Sequence, residues 1–315
     1  MKTNEAPATN SMWAWVLAAR PKTLTGAVAP VLVGGAMAIQ MTSKAYVPFL
    51  LCLLFAVLMQ INANFINDYF DFKKGSDRDD RLGPERACAQ GWITPRAMQV
   101  GIGIMTLLSA LVGLCIMAWH MQWELLVVGA LCIVACFLYT TRLSYLGWGD
   151  VLVVIFFGLV PVVFTYYVMT GGGWNIPLVI AGLAMGLATD NLLIVNNYRD
   201  RHQDFLSGKW TLMVRIIEGQ KCRFGESQGQ KEGEEICQDL YLWFGVFSTI
   251  LAFVALFLFP LSSIRWPFMI IYLILHFKTF QKLKALDGRE LNAVLGATAR
   301  NIFFFGLLLA ISFFF

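Results

Sequence analysis

Long apolar runs separated by short polar stretches make up most of this chain. A membrane-spanning helix needs about 20 predominantly apolar residues, and the runs are close to that length. The apolar residues are continuous rather than alternating, which disfavours a transmembrane barrel. The pattern therefore predicts an all-α integral membrane protein of about nine transmembrane helices, the eighth being the shortest. The predicted centres are Leu32, Leu54, Ser109, Leu131, Phe157, Leu183, Thr249, Ile270 and Phe305.

Composition agrees with a membrane protein. Of the 315 residues, 58% are hydrophobic and 14% are charged, whereas soluble domains carry about 25% charged residues. The seven cysteines form no Cys-x-x-Cys pair, so the sequence favours neither a disulfide framework nor a zinc site. The net charge of +4 comes without a basic stripe interleaved with aromatic residues, which argues against a nucleic-acid partner.

The distribution of Lys and Arg predicts the orientation. With nine spans and a cytoplasmic N-terminus, only Lys44 and Arg265 fall outside, so 22 of the 24 basic residues lie inside. This asymmetry is typical of cytoplasmic loops. We therefore expect one membrane-embedded domain over residues 1–315, with large cytoplasmic loops at 66–97 and 198–238. Residues 1–10 are polar and are expected to be disordered.

Two matching polar strings end the second and sixth predicted helices. They are Asn67-Asp68-Tyr69-Phe70-Asp71 and Asn196-Asn197-Tyr198-Arg199-Asp200. Spacings of four residues place Asn64 with Asp68, Asn67 with Asp71, and Asn196 with Asp200 and Asp204 on single helix faces. Acidic groups at a membrane boundary are costly unless they have a function. We therefore expect both strings to face one site.

The chemistry of these strings favours Mg²⁺ bound together with a phosphate compound. The candidate ligands are oxygens, which suit hard cations, and Mg²⁺ commonly takes one or two carboxylates plus substrate phosphates. Two such ions and a diphosphate leave a negative excess that nearby basic residues would neutralise. The basic candidates are Lys73, Lys74, Arg78, Arg81, Arg199, Lys209 and Arg215.

With these two strings the chain resembles the UbiA superfamily of intramembrane aromatic prenyltransferases. The two aspartate-rich strings, with Asp77 and Asp204, carry the resemblance. Within the superfamily the chain is most similar to the branch that prenylates 1,4-dihydroxy-2-naphthoate in menaquinone biosynthesis. The stretches that match this branch are Ala19–Thr25, Asn67–Gly75, Arg81–Pro84, Phe156–Val160, Thr165–Tyr167, Asn196–Asp200, Gly208–Leu212 with Arg215, and Glu290–Asn292.

The resemblance implies a bundle of nine helices around a central cavity open to the cytoplasm, in the cell (inner) membrane. It implies transfer of a polyprenyl group from polyprenyl diphosphate to the naphthoate, with loss of CO₂ and diphosphate. The implied Mg²⁺ ligands are Asp68, Asp71, Asp77, Asp200 and Asp204. All of these except Asp77 are also expected to be catalytic, together with Lys209. The implied substrate-binding residues are Asn64, Asn67, Asn196, Asn197, Arg20, Lys22, Lys74, Arg81, Arg199, Arg215 and Tyr139.

Two departures from the family pattern are visible. Residues 217–238 are longer and richer in Gly, Glu and Gln than the usual link, which suggests a flexible insert. Thr141-Arg142 stands where the family has a Gly-rich stretch after Tyr139-Thr140, which bears on the acceptor pocket. Another aromatic acceptor, such as 4-hydroxybenzoate, is the first alternative. A secondary transporter is the second, although its binding groups would lie near the membrane midplane.

Overall fold

The computed structural model describes residues 6–42, 46–75, 81–259 and 267–314. All regular structure in these ranges is helical, which confirms the predicted all-α class. The α-helices are α1 (Met12–Ala19), α2 (Leu24–Ile39), α3 (Tyr46–Lys74), α4 (Pro95–His120), α5 (Glu124–Leu138), α6 (Gly149–Val154), α7 (Val160–Thr170), α8 (Ile176–Arg199), α9 (Arg201–Leu206), α10 (Leu212–Phe224), α11 (Glu226–Leu258), α12 (Pro267–Ala285) and α13 (Leu291–Phe314).

Local sequence signals set several of the helix boundaries. Thr94 and Asn175 accept backbone N–H groups with their side chains at the starts of α4 and α8. Thr211 does the same for α10. Such N-caps stabilise a helix by about 1 kcal/mol each. Pro95 follows Thr94 directly, at a position where its missing N–H costs nothing.

Eight helical segments of the described chain are long and apolar enough to cross a membrane. The predicted count of nine is therefore not confirmed. The expected span that is not among the eight is the eighth, centred on Ile270; it corresponds to α12, which is 19 residues long and packs against α11 and α13. The chain is a multi-pass membrane protein.

Close backbone contacts hold the bundle together around α8. A Cβ on Gly158, between α6 and α7, would overlap the Gly182 carbonyl oxygen and the Gly186 backbone on α8. Small residues permit this approach between membrane helices. Two π-helical turns interrupt the regular helices. Tyr139–Leu143 follows α5, and Ile155–Leu159 lies between α6 and α7. Such turns are frequent at functional sites.

Residues 217–238 form regular helix, contrary to the flexible insert expected from the sequence. They lie in α10 and the first third of α11, which turn back on each other at Gly225. The two helices pack closely: a Cβ added to Gly233 of α11 would lie 2.7 Å from the Cα of Ile217 on α10. The Glu, Gln and Lys of this segment favour helix, and its apolar side chains give the hairpin a buried face.

Part of the N-terminal segment that was expected to be disordered is also ordered. Residues 1–5 lie outside the described ranges, but Thr9 and Asn10 bond to the chain just before α4. The Asn10 amide donates to the Trp92 carbonyl at 2.7 Å, and the Thr94 amide donates to the Asn10 side chain at 3.0 Å.

Candidate functional site

The two aspartate-rich strings meet at one cavity, as the sequence predicted. Asn67 and Asp71 reach it from the end of α3, and Asn196 and Asn197 from the end of α8. The cavity encloses about 520 Å³, including space open to solvent. Its other lining residues come from the loop after α3, the turn between α5 and α6, the start of α6, α8 itself, and the loop before α10. They are Arg86, Tyr139, Thr140, Ser144, Gly147, Gly149, Asp150, Leu193, Lys209 and Thr211.

The end of α3 is fastened to the wide turn after α5. The Thr140 hydroxyl donates to the Asn67 side-chain oxygen. The Lys74 ammonium donates to the carbonyls of Thr140 at 3.3 Å and Thr141 at 2.8 Å, and lies 3.7 Å from the centre of the Tyr145 ring. Lys74 thus supports the cavity wall and does not line the cavity itself.

Asp71 forms an ion pair with an arginine that was not among the residues predicted from the sequence. Arg86 lies 2.9 Å from the Asp71 carboxylate and lines the same cavity. Asp71 lies on α3 and Arg86 fifteen positions later in the irregular loop after it, so no helical spacing relates them. The signal available in the sequence was the position of Arg86 just after the family-like stretch Arg81–Pro84.

Asp68 and Asn64 do not line the cavity, unlike the prediction for both. The Asp68 carboxylate is buried and accepts the backbone N–H groups of Ala87 at 2.9 Å and Cys88 at 2.8 Å. The Asn64 side chain donates to the Ala19 carbonyl and the Thr23 hydroxyl. Helical spacing placed these side chains on the α3 face that meets neighbouring chain segments, whose backbone groups they satisfy.

Asp200 is held by the buried guanidinium of Arg199. Two bonds of 2.7 and 2.5 Å join their side chains, and Arg199 also donates to Asn196 and Asn292 at 2.9 Å each. Arg199 is 1% exposed. Arg199 was expected to bind substrate. Its contacts instead orient the second string, and it does not line the cavity.

Asp204 and Lys209 form the third carboxylate–cation pair of the site, at 3.1 Å. Burial raises the pKa of Asp204 to about 6, against the opposing effect of Lys209. Burial alone would lower the pKa of Lys209, but the carboxylates of Asp204, Asp71 and Asp200 outweigh it and raise that pKa. Lys209 is therefore a cation at neutral pH, and it lines the cavity beside Asp71.

Of the remaining predicted residues that the structure describes, one lines the cavity and the others lie outside its lining. Tyr139 lines the cavity. Arg20 has a left-handed backbone and interacts electrostatically with Asp68 and Asp71, whereas Lys22 is exposed. Arg215 donates to the Trp210 and Leu146 carbonyls, which joins the loop before α10 to the turn before α6.

Arg81 belongs to the loop that follows α3. Its guanidinium donates to the Pro84 carbonyl at 3.1 Å, and Arg289 donates to the Arg81 carbonyl at 3.4 Å. Asp77, the remaining predicted metal ligand, lies outside the described residues.

Two further carboxylates, Asp150 and Asp190, were not singled out from the sequence. Asp150 lines the cavity, and Asp190 is fully buried on α8. The signal was present, since an acidic residue inside an apolar run is costly. The site predicted from the sequence included only acids at the ends of predicted helices.

The donors around the cavity suit Mg²⁺. The polar side chains that α3 and α8 bring to the cavity are one carboxylate, Asp71, and the amides of Asn67, Asn196 and Asn197, and neither Cys nor His lines it among the described residues. No group of three His, Cys, Asp or Glu in the described part of the chain is arranged as a ready metal cage. Mg²⁺ is usually held by few protein carboxylates together with substrate phosphates, and Asp71 is a carboxylate of this kind at the cavity.

Comparison with known proteins gives a consistent family. Residues 27–309 match the model of the UbiA prenyltransferase family. The chain is 36% identical to 1,4-dihydroxy-2-naphthoate octaprenyltransferase of Haemophilus influenzae over 64% of this chain and 68% of that protein. It is 38% identical to the protein of that name from Mycobacterium leprae, over 64% and 69%. It is 34% identical to UbiA prenyltransferase domain-containing protein 1 of Danio rerio, over 64% and 61%.

Solved structures share the fold. A UbiA homologue from Archaeoglobus fulgidus, bound to GPP and Mg²⁺, superposes with a TM-score of 0.61 at 16% identity, over 95% of this chain and 99% of that one. A digeranylgeranylglyceryl phosphate synthase gives 0.60 at 17% identity, over 96% and 98%. With the matched residues spanning most of the helical bundle, the chain belongs to the UbiA prenyltransferase family.

Proposed function

We propose that this protein transfers a polyprenyl group from polyprenyl diphosphate to 1,4-dihydroxy-2-naphthoate, with loss of CO₂ and diphosphate, to give demethylmenaquinol. The observation that carries the proposal is the meeting of the two aspartate-rich helix ends at one cavity. Family membership supports prenyl transfer, and the naphthoate relatives from Haemophilus influenzae and Mycobacterium leprae support the acceptor.

The diphosphate end of the donor binds between α3 and α8. Asp71, Asp200 and Asp204, with the amide oxygens of Asn67 and Asn196, are the Mg²⁺ ligands in this proposal. When bound, Mg²⁺ neutralises charge on the departing diphosphate. We assign Asp68 to the anchoring of the loop after α3, because it is 1% exposed and its two oxygens accept the backbone N–H groups of Ala87 and Cys88 in that loop.

Two cations of the cavity wall bind phosphate oxygens. Arg86 and Lys209 both line the cavity, and each is paired with a motif carboxylate. Arg presents a planar fork that matches phosphate, and Lys acts as a point charge. Positive charge fixed before the reaction stabilises the leaving group as the allylic C–O bond breaks.

The aromatic acceptor enters the same cavity beside Tyr139. Its carboxylate is expected to meet a cation, and Arg20, which interacts electrostatically with Asp71 and Arg86, is one of the predicted candidates. The polyprenyl tail extends into the bilayer between apolar helices. Water is kept from the allylic cation by the membrane-embedded walls of the site.

The site faces the cytoplasm of the cell membrane in this proposal. Both strings lie at helix ends that adjoin the polar regions 66–97 and 198–238, which together hold 13 of the 24 Lys and Arg residues, and basic loops remain on the cytoplasmic side. The naphthoate, a charged aromatic acid, would then reach the cavity from the aqueous side, and the prenyl donor from the lipid.

A competition assay tests the acceptor. Purified protein in lipid vesicles is given Mg²⁺, a prenyl diphosphate and equal amounts of 1,4-dihydroxy-2-naphthoate and 4-hydroxybenzoate, and the products are identified by mass spectrometry. We expect prenylated, decarboxylated naphthoate. Prenylated hydroxybenzoate as the main product would overturn the acceptor assignment. Uptake of prenyl diphosphate into vesicles without prenyl transfer would instead indicate a transporter.

A further inference from the structure

Two buried carboxyl groups near the cavity have no role in holding the diphosphate. Asp150, at the start of α6, is 8% exposed and lines the cavity, and its Oδ1 has no hydrogen-bond partner. Asp190, on α8, is fully buried, and neither of its oxygens has a partner. In the part of the chain that the structure describes, neither carboxyl forms an ion pair.

Asp150 and Asp190 differ from the carboxylates of the two strings because no basic side chain of the described residues pairs with them. Asp71, Asp200 and Asp204 each contact a basic side chain within 3.1 Å. A neighbouring cation stabilises the ionised form and weakens a carboxylate as a proton acceptor. Asp150 has no such neighbour among the described residues, and it lines the cavity. Asp150 is therefore suited to accept a proton from a ligand in the cavity.

Close packing of α6 against α8 supports the pairing of Asp150 with Asp190. A Cβ on Gly149 would lie 3.2 Å from Leu193 of α8 and 3.7 Å from the Tyr139 ring. Tyr139 interacts electrostatically with both carboxyls, and Asp190 with Asp150. Two buried like charges disfavour each other, so the pair holds one negative charge more readily than two.

We propose that Asp150 is a catalytic residue that receives the ring-hydroxyl proton of the aromatic acceptor, with Asp190 as the positioning residue behind it. This inference rests on the proposed function. As the ring carbon forms its bond to the allylic cation, the hydroxyl oxygen becomes a carbonyl and its proton passes to the Asp150 carboxylate. When CO₂ has left and the ring is aromatic again, the proton returns to that oxygen. Asp150 ends the cycle as it began, and no oxidant is needed.

The location fits this role. Asp150 and Tyr139 belong to the cavity wall formed by the turn after α5 and the start of α6, whereas the diphosphate-binding side chains come from α3, α8 and the adjoining loops. An acceptor placed between these walls meets the allylic carbon on one side and Asp150 on the other. The other titratable groups along the cavity are Tyr139, Asp71, Arg86 and Lys209.

Asp150→Asn tests the proposal, because the amide keeps the shape and cannot take the proton. General-base catalysis contributes about 10²- to 10⁴-fold, so we expect kcat to fall at least about 100-fold while the KM for prenyl diphosphate stays within about twofold. The loss should shrink at alkaline pH, where the acceptor hydroxyl ionises without help. Asp150→Glu should recover part of kcat.

Matched variants separate the outcomes. Asp239→Asn, an exposed acid on α11, should keep the kinetics of the wild type. Asp190→Asn should change the pH dependence of kcat without changing the KM for prenyl diphosphate, and it tests the pair if Asp150→Asn does not fold. An Asp150→Asn protein with the kcat and pH profile of the wild type would overturn the proposal. Wild-type protein that forms no prenylated product would instead refute the proposed function.

Discussion

Asp68 and Asp71 lie one turn apart on α3, and the structure gives them different surroundings. Asp71 faces the cavity and Arg86, whereas Asp68 accepts two backbone N–H groups of the loop that carries Arg86. One acid can thus bind the reacting groups while its neighbour holds the loop that supplies their counter-charge. In the proposed function, Asp71 therefore acts on the substrate and Asp68 stabilises the fold, although both belong to the same string.

This difference predicts that Asp71→Asn loses activity, whereas Asp68→Asn loses stability. Asp71→Asn should remove prenyl transfer and leave the thermal midpoint within a few degrees of the wild type, because Asp71 is partly exposed. Asp68→Asn places an NH₂ group near a backbone N–H, and an unmet buried polar group costs about 1–3 kcal/mol. We therefore expect a clearly lower thermal midpoint for Asp68→Asn. Equal midpoints in the two variants would contradict the anchoring role.

The ends of helices, more than their spans, organise this site. At the end of α8, Arg199 joins Asp200 and Asn196 to Asn292 at the start of α13. Asn292 in turn donates to the Leu82 carbonyl in the loop after α3. One buried guanidinium therefore links two helix ends and, through Asn292, the loop that joins the first string to Arg86.

Arg199→Lys tests this linkage, since a single ammonium cannot reproduce the planar fork of the guanidinium. We expect a lower thermal midpoint and at least about a tenfold loss of kcat as Asp200 and Asn196 lose their orientation. Arg223→Lys, at an exposed position near the end of α10, is the matched control and should change neither. Unchanged stability of Arg199→Lys would show that the linkage does not hold the helix ends.

Much of the architecture follows from the sequence because long apolar runs leave helices as the only way to satisfy the backbone in lipid. The meeting of Asn67 and Asp71 with Asn196 and Asn197 followed from matched helical spacing. Arg86 was missed because its contact with Asp71 depends on the path of an irregular loop. Residues 217–238 were misjudged because their composition was weighed above the helix-forming tendency of Glu, Gln and Lys.

For the whole molecule, the distribution of basic residues predicts which side of the membrane holds the site. Cys222 on α10 offers a direct test, because it is exposed and lies outside the eight candidate spans, in the loop region that contains Asp204 and Lys209. The other exposed cysteine, Cys115, lies within α4, where a polar reagent would not reach it in a bilayer.

A membrane-impermeant maleimide should therefore label Cys222 in inside-out vesicles and not in sealed right-side-out cells. Cys222→Ser should abolish the labelling and serves as the control for the remaining cysteines. Labelling of intact cells would place α10, and with it the second string, on the outer side.

In the proposed function the bundle brings a lipid-borne donor and a water-borne acceptor to one cavity. The most direct measurement therefore follows both products at once. Purified protein is supplied with Mg²⁺, a prenyl diphosphate and 1,4-dihydroxy-2-naphthoate labelled in its carboxylate, and released CO₂ and diphosphate are counted together. We expect equal amounts of the two from the wild type, and neither from Asp71→Asn or after removal of Mg²⁺ with a chelator. Diphosphate release without CO₂, or full activity of Asp71→Asn, would contradict the account.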